Sequence, residues 1–293
     1  MSEFDIFLEL SILGILSGGV LALIALSFVL VYKGTRAVNF AVGEIMILGA
    51  YLYYSANQTF GLHPLLALGV SAGAIVLLSA ALERMVLRPL SGQPTVAVLM
   101  ATIGLASMLH GGIEMVWGGD TLTVTPLVPR TPIVTETLFI PGAAVGNFAL
   151  AALVIGAFVL FFRYSRTGVA LRATASDQVT AATMGIDIHH TQRLTWALAG
   201  LVGALAGILV SASAGLSPLL ASSALSVFAV IILGGLDSIL GAIIASIVIG
   251  WLGSMVAGYV GGKAQDVVPY VLVIAILAVR PYGLFGTREI ERL

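Results

Sequence analysis

The chain has no cysteine at all, which excludes a disulfide framework, a thiolate metal site and a cysteine nucleophile. Charge is nearly as scarce. Only 9% of the 293 residues are Asp, Glu, Lys or Arg, against roughly 25% in soluble domains. With 59% hydrophobic residues and a mean hydropathy of +1.09, the chain has more apolar surface than one soluble core can hide, so lipid must be part of its solvent. Neither sign of charge dominates, 13 basic residues facing 14 acidic ones, which gives no reason to propose nucleic acid as a partner. Chemistry-bearing motifs are missing too: there is no HExxH, no GxSxG and no carboxylate cluster at metal-ligand spacing. A membrane enzyme is therefore disfavoured, and no metal or bound cofactor is expected. Glu3, Asp5 and Glu9 stand where a signal peptide carries cations, so the N-terminus does not read as a cleavable leader.

What is present is a series of long uncharged runs. About 20 apolar residues suffice to cross the hydrocarbon as a helix. The candidates are 10–32, 45–82 (two crossings broken at His63-Pro64), 89–113, 137–162, 194–236 (one crossing plus a shorter piece divided near Gly215–Pro218), 238–262 and the short 267–279. The runs are continuously apolar rather than alternating, which favours helices over a barrel. The expectation is an all-α polytopic bundle of eight or nine spans, forming a single transmembrane domain over 1–293. Small residues four apart recur at Gly14/Gly18, Gly69/Gly73, Ala199/Gly203, Gly203/Gly207 and Gly258/Gly262, a spacing that lets helix backbones approach closely.

Cations are retained in cytoplasmic loops. Threading from an outside N-terminus puts eleven of the 13 Lys and Arg inside, leaving Arg130 and Lys263 outside. An outside N-terminus with a cytoplasmic C-terminus requires an odd number of crossings, and nine satisfies it.

The connection 163–193 is the longest expected on the cytoplasmic side, and it has the marks of a folded segment. Thr174 followed by Asp177 fits a capping box, and Gly185 suits a left-handed helix end. Leu171, Ala175, Val179, Ala182 and Ile186 draw one apolar stripe at helical spacing, facing headgroups, the bundle's own underside or another protein. Elsewhere, Asn39 and Glu44 could form a polar part of a gate, or Glu44 could be a boundary carboxylate pairing with Lys33 or Arg36. Asp237 is expected to cap a helix beginning near Ile239, and Trp117, near Glu114, to sit in the interfacial aromatic belt. Pro126, Pro129, Pro132 and Pro141 make 118–146 an extended or turn-rich cover, and His189 and His190 read as surface residues.

Arg172–Asp177 (RATASD), followed by Ala181 and Met184–Ile186 (MGI), resembles a motif of the branched-chain amino acid ABC transporter permeases. Leu30–Glu44 (LVYKGTRAVNFAVGE) and Leu233–Gly241 (LGGLDSILG) resemble two further stretches of that family, in the same order. The likeness covers nearly the whole chain and is closer to the LivH-type subunit than to its longer LivM-type companion. It implies an ABC importer permease in a bacterial inner membrane, forming half of a solute pathway. The implied partners are a second, LivM-type permease subunit, two cytoplasmic ATP-binding subunits that use the ATP, an external solute-binding protein, and membrane lipid. It also implies that Asp177, Ala181, Met184, Gly185 and Ile186 form the coupling helix against the ATPase. Separately, the cost of a carboxylate such as Glu44 near a membrane segment makes Asn39, Gly43 and Glu44 candidate pathway residues. This chain lacks a phosphate-binding loop: Gly262-Lys263 has Ala257 where the first glycine belongs and Ala264 where Ser or Thr belongs. Energy must come from a partner or, in the competing reading, from an ion gradient coupled through Glu44 or Glu114.

Overall fold

The computed structural model describes residues 3–90, 92–128, 131–134, 138–280 and 283–286. It is built of helices: α1 (Glu3–Thr35), α2 (Val42–Tyr54), α3 (Pro64–Leu82), α4 (Thr95–Trp117), α5 (Gly142–Tyr164), α6 (Arg166–Ser176), α7 (Gln178–Thr183), α8 (Ile188–Ala214), α9 (Leu220–Gly234), α10 (Ile239–Tyr259), α11 (Gly262–Gln265) and α12 (Val268–Val279). A two-residue hairpin, β1 (Ile133–Val134) with β2 (Phe139–Ile140), lies in the proline-bearing segment. Among the described residues, seven helical stretches are long and apolar enough to cross a membrane. The shorter apolar helices α2, which runs on through a π turn at Ser55–Thr59, and α9 bring the apolar segments to the expected range.

Helix boundaries follow local chemistry. His63 accepts a hydrogen bond from the Leu65 amide and Pro64 occupies the first turn of α3, so the expected break within 45–82 falls where proline is tolerated. Gly118 at φ 80° ends α4, and Gly215 at φ 86° ends α8. Ser238, rather than Asp237, caps α10 by accepting from the Gly241 amide. The expected cap was thus one residue early, because the side chain that reaches the free amides of the first turn belongs to the residue directly before Ile239. The span expected from Thr137 begins at Gly142; Thr137 itself lies outside the described residues.

The chain divides into two compact units. One comprises Met1–Val29, Val128–Ala152 and Ser226–Leu293; the other comprises Leu30–Leu127 and Leu153–Leu225. In the first, α1 and α10 meet through small residues. A Cβ on Gly14 would lie 2.7 Å from the Trp251 Cα, and one on Gly18 2.8 Å from the Ile247 Cα. Ser254 donates to the Leu10 carbonyl at 2.8 Å and the Trp251 indole donates to Ser11 at 3.2 Å, so polar groups in this apolar packing are paired. Phe28 meets Phe228 edge-on at 4.8 Å between ring centroids.

In the second unit, α2, α3 and α8 form the core around Met46, Ile47, Tyr51, Ile75, Trp196 and Ile208. Small residues on α8 set the spacing. A side chain on Gly207 would collide with the Met46 carbonyl, and one on Gly49 with Ala204. Ser71 on α3 donates to the Gly49 carbonyl at 2.6 Å, fixing α3 against α2. By contrast Gly69 and Gly73 have nothing within 4 Å, so that small-residue pair is not a packing site within this chain. Leu66, Val70 and Leu77 on α3 and Met100, Met108 and Met115 on α4 are exposed, as expected of surfaces solvated by lipid.

Candidate functional site

The connection between α5 and α8 is folded, as expected, but as two helices instead of one. Asp177 is extended, at φ −152° and ψ 112°, and serves as the last residue of α6 and the cap of α7. Its Oδ1 accepts from the Val179 and Thr180 amides at 2.9 and 3.1 Å, and its Oδ2 from the Thr180 hydroxyl at 2.6 Å. Thr174, expected to open a capping box, instead lies within α6 and donates to the Ala170 carbonyl. The expected single stripe is therefore broken, because the chain changes direction at Asp177. Leu171 and Ala181 are buried, whereas Val179 and Met184 are 75% and 79% exposed. Gly185 takes the left-handed conformation anticipated for it, at φ 84°, and a Cβ there would meet nothing within 4 Å. Ile186 is half-buried. Of the five residues in the expected coupling helix, Ala181 thus packs into the chain itself, while Asp177, Met184 and Gly185 are displayed.

This element is strapped to the end of α1. Arg36 donates to the Ala175 carbonyl at 2.6 Å, and Gln178 donates to the Gly34 carbonyl at 3.4 Å. Asp187 then caps α8 by accepting from the His190 amide at 3.1 Å. His189 and His190 are exposed. The Thr180 hydroxyl bond, with the two amides, holds the Asp177 carboxyl below the usual aspartate value, and the His190 amide does the same for Asp187. A lowered folded-state pKa means that the cap's stabilisation is complete above the unfolded aspartate pKa and is lost as pH falls through the lowered value. Helix α7 should hence stay capped through neutral pH and loosen only in acid. Asp177→Ala should raise amide hydrogen exchange at Val179 and Thr180 at neutral pH while leaving α8 protected; unchanged exchange there would refute the cap.

A second cluster lies among the membrane helices. Asn39 is buried, and its Oδ1 accepts from the Ala41 amide at 2.9 Å, turning the chain into α2. Two residues into α2, Gly43 allows close approach to the start of α9: a Cβ there would lie 2.9 Å from the Ala221 carbonyl. Glu44 is 9% exposed and its Oε1 lies 3.1 Å from His110 Nδ1. The expected pairing with Lys33 or Arg36 is replaced by this one, because α4 places an imidazole beside the carboxylate. His110 Nε2 in turn lies 3.4 Å from Glu114 Oε1, one helical turn on. A neutral imidazole carries one N–H, so engaging both carboxylates takes a second proton within the cluster.

Glu44 and His110 line a cavity of about 460 Å³, together with Phe40, Gly43, Ser107 and Ser222. Its walls are largely apolar with few polar groups, the usual character of a small-molecule site. Glu44 Oε2 is buried without a hydrogen-bond partner. Trp117, expected in the aromatic belt, is half-buried at the end of α4: its indole donates to Ser55 at 2.7 Å and its ring lies 5.1 Å from that of Tyr51. His110 was not singled out from the sequence, although its spacing from Glu114 inside an apolar run was a usable signal.

The family model for the branched-chain amino acid transport system permease component matches residues 11–277. The chain is 29% identical to the high-affinity branched-chain amino acid transport system permease protein LivH of Escherichia coli, covering 100% of both chains. It is 31% identical to the probable branched-chain amino acid transport permease protein LivH of Methanocaldococcus jannaschii, covering 95% of this chain and 93% of that one. It is 28% identical to the corresponding BraD protein of Pseudomonas aeruginosa, again over 100% of both. A multi-pass membrane protein matched from near its start to near its end in this way belongs to the family of branched-chain amino acid transport system permease components.

Proposed function

We propose that this chain forms one half of the translocation pathway of an ATP-driven importer for branched-chain amino acids or related small polar solutes. The observation that carries the reading is the pair of features joined in one family member: a polar cluster opening on a membrane-embedded cavity, and a capped, strapped helical element between α5 and α8 with an exposed apolar tip. Asn39, Gly43 and Glu44 contribute to the pathway, where Glu44 and His110 offer polar groups to a solute's polar end while the apolar walls accept its side chain. Asp177, Met184, Gly185 and Ile186 form the contact with the ATPase, and Ala181 anchors that contact to the bundle. The N-terminus lies outside and the C-terminus in the cytoplasm of an inner membrane, the orientation favoured by the cations.

The chain supplies no ATP site of its own. Two cytoplasmic ATP-binding subunits provide hydrolysis, a LivM-type permease supplies the other half of the pathway, and an external solute-binding protein delivers the cargo. Closure of the ATPase dimer moves the α6–α7 element, which shifts the helices it is strapped to and opens the pathway to one side at a time. Uptake by alternating access needs no covalent chemistry from the chain.

Mild-detergent purification of the tagged chain from its native membrane, with mass spectrometry of what accompanies it, tests the assembly. Two ATP-binding proteins and a second permease are the expected result. Recovery of the chain alone from membranes in which it is active would favour the ion-gradient carrier. Glu44→Gln separates the two mechanisms further. In the importer it should lower uptake by about tenfold or less, the equivalent of one weakened polar contact. Loss of all uptake with normal insertion, together with loss of proton coupling, would overturn the importer reading.

A further inference from the structure

Among the described non-glycine residues, Arg36 alone has a left-handed backbone, at φ 54°; the other described positions with positive φ are glycines. Glycine takes that conformation at no steric cost, whereas a residue with a Cβ needs a constraint from its surroundings to stay there. Burial is not that constraint, because Arg36 is exposed. Its guanidinium is held instead, by the 2.6 Å bond to the Ala175 carbonyl. Ala175 lies in the last turn of α6, where carbonyls lack a partner within the helix and the helix dipole favours a cation. The Arg36 amide meanwhile donates to the Tyr32 carbonyl at 2.7 Å, so the residue still closes α1. From there the chain passes directly into the candidate pathway: Asn39 turns it through its bond to the Ala41 amide, and Glu44 lies in the first turn of α2. Thr35, Arg36 and Ala37 border a cavity of about 190 Å³ that also reaches Gln178 at the start of α7, so the junction is not close-packed on that side. Another wall of the cavity is firmer, since Glu83, directly after α3, is 1% exposed and pairs with Arg193 of α8 at 3.6 Å.

We propose that Arg36 is the positioning residue through which movement of the α6–α7 element reaches the pathway residues Asn39, Gly43 and Glu44. This rests on the importer reading, with α7 at the ATPase. A displaced α6 end pulls on the guanidinium, and the Arg36 torsions take up the movement, as hinge residues at element ends do. Rotation there swings the junction and the first turn of α2 with it, into space that the cavity leaves open. Gly43, close against the Ala221 carbonyl, and Glu44, paired with His110, are then the first contacts of α2 to shift. Helix α8 follows α7 along the chain and moves without this bond, so Arg36 governs the start of α2 apart from any tilt of α8.

The test uses the assembled transporter in proteoliposomes with ATP enclosed and leucine-loaded binding protein outside, and reads leucine taken up per ATP hydrolysed. Arg36→Asn keeps a residue type that tolerates the left-handed conformation but cannot reach Ala175. It should lower that ratio by about fivefold or more, within the range of known couplings between sites, while ATP hydrolysis and copurification of the ATPase subunits persist. Arg36→Lys pays the same backbone cost and still offers a long cationic donor, so it should retain most of the wild-type ratio. Arg36→Gly, which suits the backbone better still, should behave as Arg36→Asn does and decides the matter if that variant fails to accumulate. A wild-type ratio in Arg36→Asn or Arg36→Gly would overturn the inference while leaving the importer reading intact. Uptake and hydrolysis falling together would also overturn it, because a structural role alone moves both alike. So would an equal loss in Arg36→Lys, since the bond would then not be what matters. Wild-type vesicles with no ATP-dependent uptake would instead count against the importer reading, and this inference would fall with it.

Discussion

Gly207→Val should sharply lower the protein's stability, the largest folding loss expected from a single substitution. A Cβ at this position would collide with the Met46 backbone carbonyl, and backbone cannot rotate aside as a flexible side chain can. The α2–α8 contact would have to open, with Met46, Ile47, Ile208 and Leu209 losing close packing around it. Overpacking of a tight core costs about 1–3 kcal/mol and sometimes more, and a clash with main chain belongs at the upper end. Membrane helices associate largely through such packing, so little remains to offset the loss. Gly69→Val provides the contrast, because nothing lies within 4 Å of its Cβ. Thermal denaturation in detergent should show a lower midpoint for the first variant and little change for the second. Equal midpoints would contradict the close approach of α2 and α8.

The second large effect is expected at Gly185, and it should appear in coupling instead of folding. Its φ of 84° favours glycine, and a larger L-residue there pays a local conformational cost of about 1–2 kcal/mol. Inside the chain the space is open, so Gly185→Trp should insert and remain folded. On the displayed surface beside Met184, however, an indole would stand where the ATPase contact is proposed. Copurification of ATP-binding subunits should fall by about tenfold or more, corresponding to roughly 1.4 kcal/mol of contact energy. Gly185→Asn, which tolerates the left-handed conformation, should retain more of the association. Full association with normal transport in Gly185→Trp would remove this residue from the contact.

The breaks between spans were legible because proline and glycine change backbone options locally. His63-Pro64 and the Gly215–Pro218 stretch fall at helix boundaries for that reason. The division at Asp177 was harder to read, since Thr174 and Asp177 are both cap-forming types and a periodic stripe does not register a change of chain direction. Glu44 was visible as a costly carboxylate, but its partner came from 66 residues away, and spacing along the sequence says nothing about such a pairing. Glu83 was hidden differently. Beside Arg84 and Arg88 it blended into a charged membrane boundary, and its burial arises from α8 packing over the end of α3.

Helix α8 adds a mechanical consequence. It begins at the Asp187 cap, immediately after the α6–α7 element, and runs unbroken for 27 residues, about 40 Å at the usual rise. At its far end Leu216 exchanges a pair of backbone hydrogen bonds with Leu122, each of 2.8 Å. A rod this stiff transmits translation and tilt along its whole length with little damping. If the proposed coupling through the α6–α7 element holds, a spectroscopic label near Leu122 should report movement of that element, in phase with it and on the same timescale.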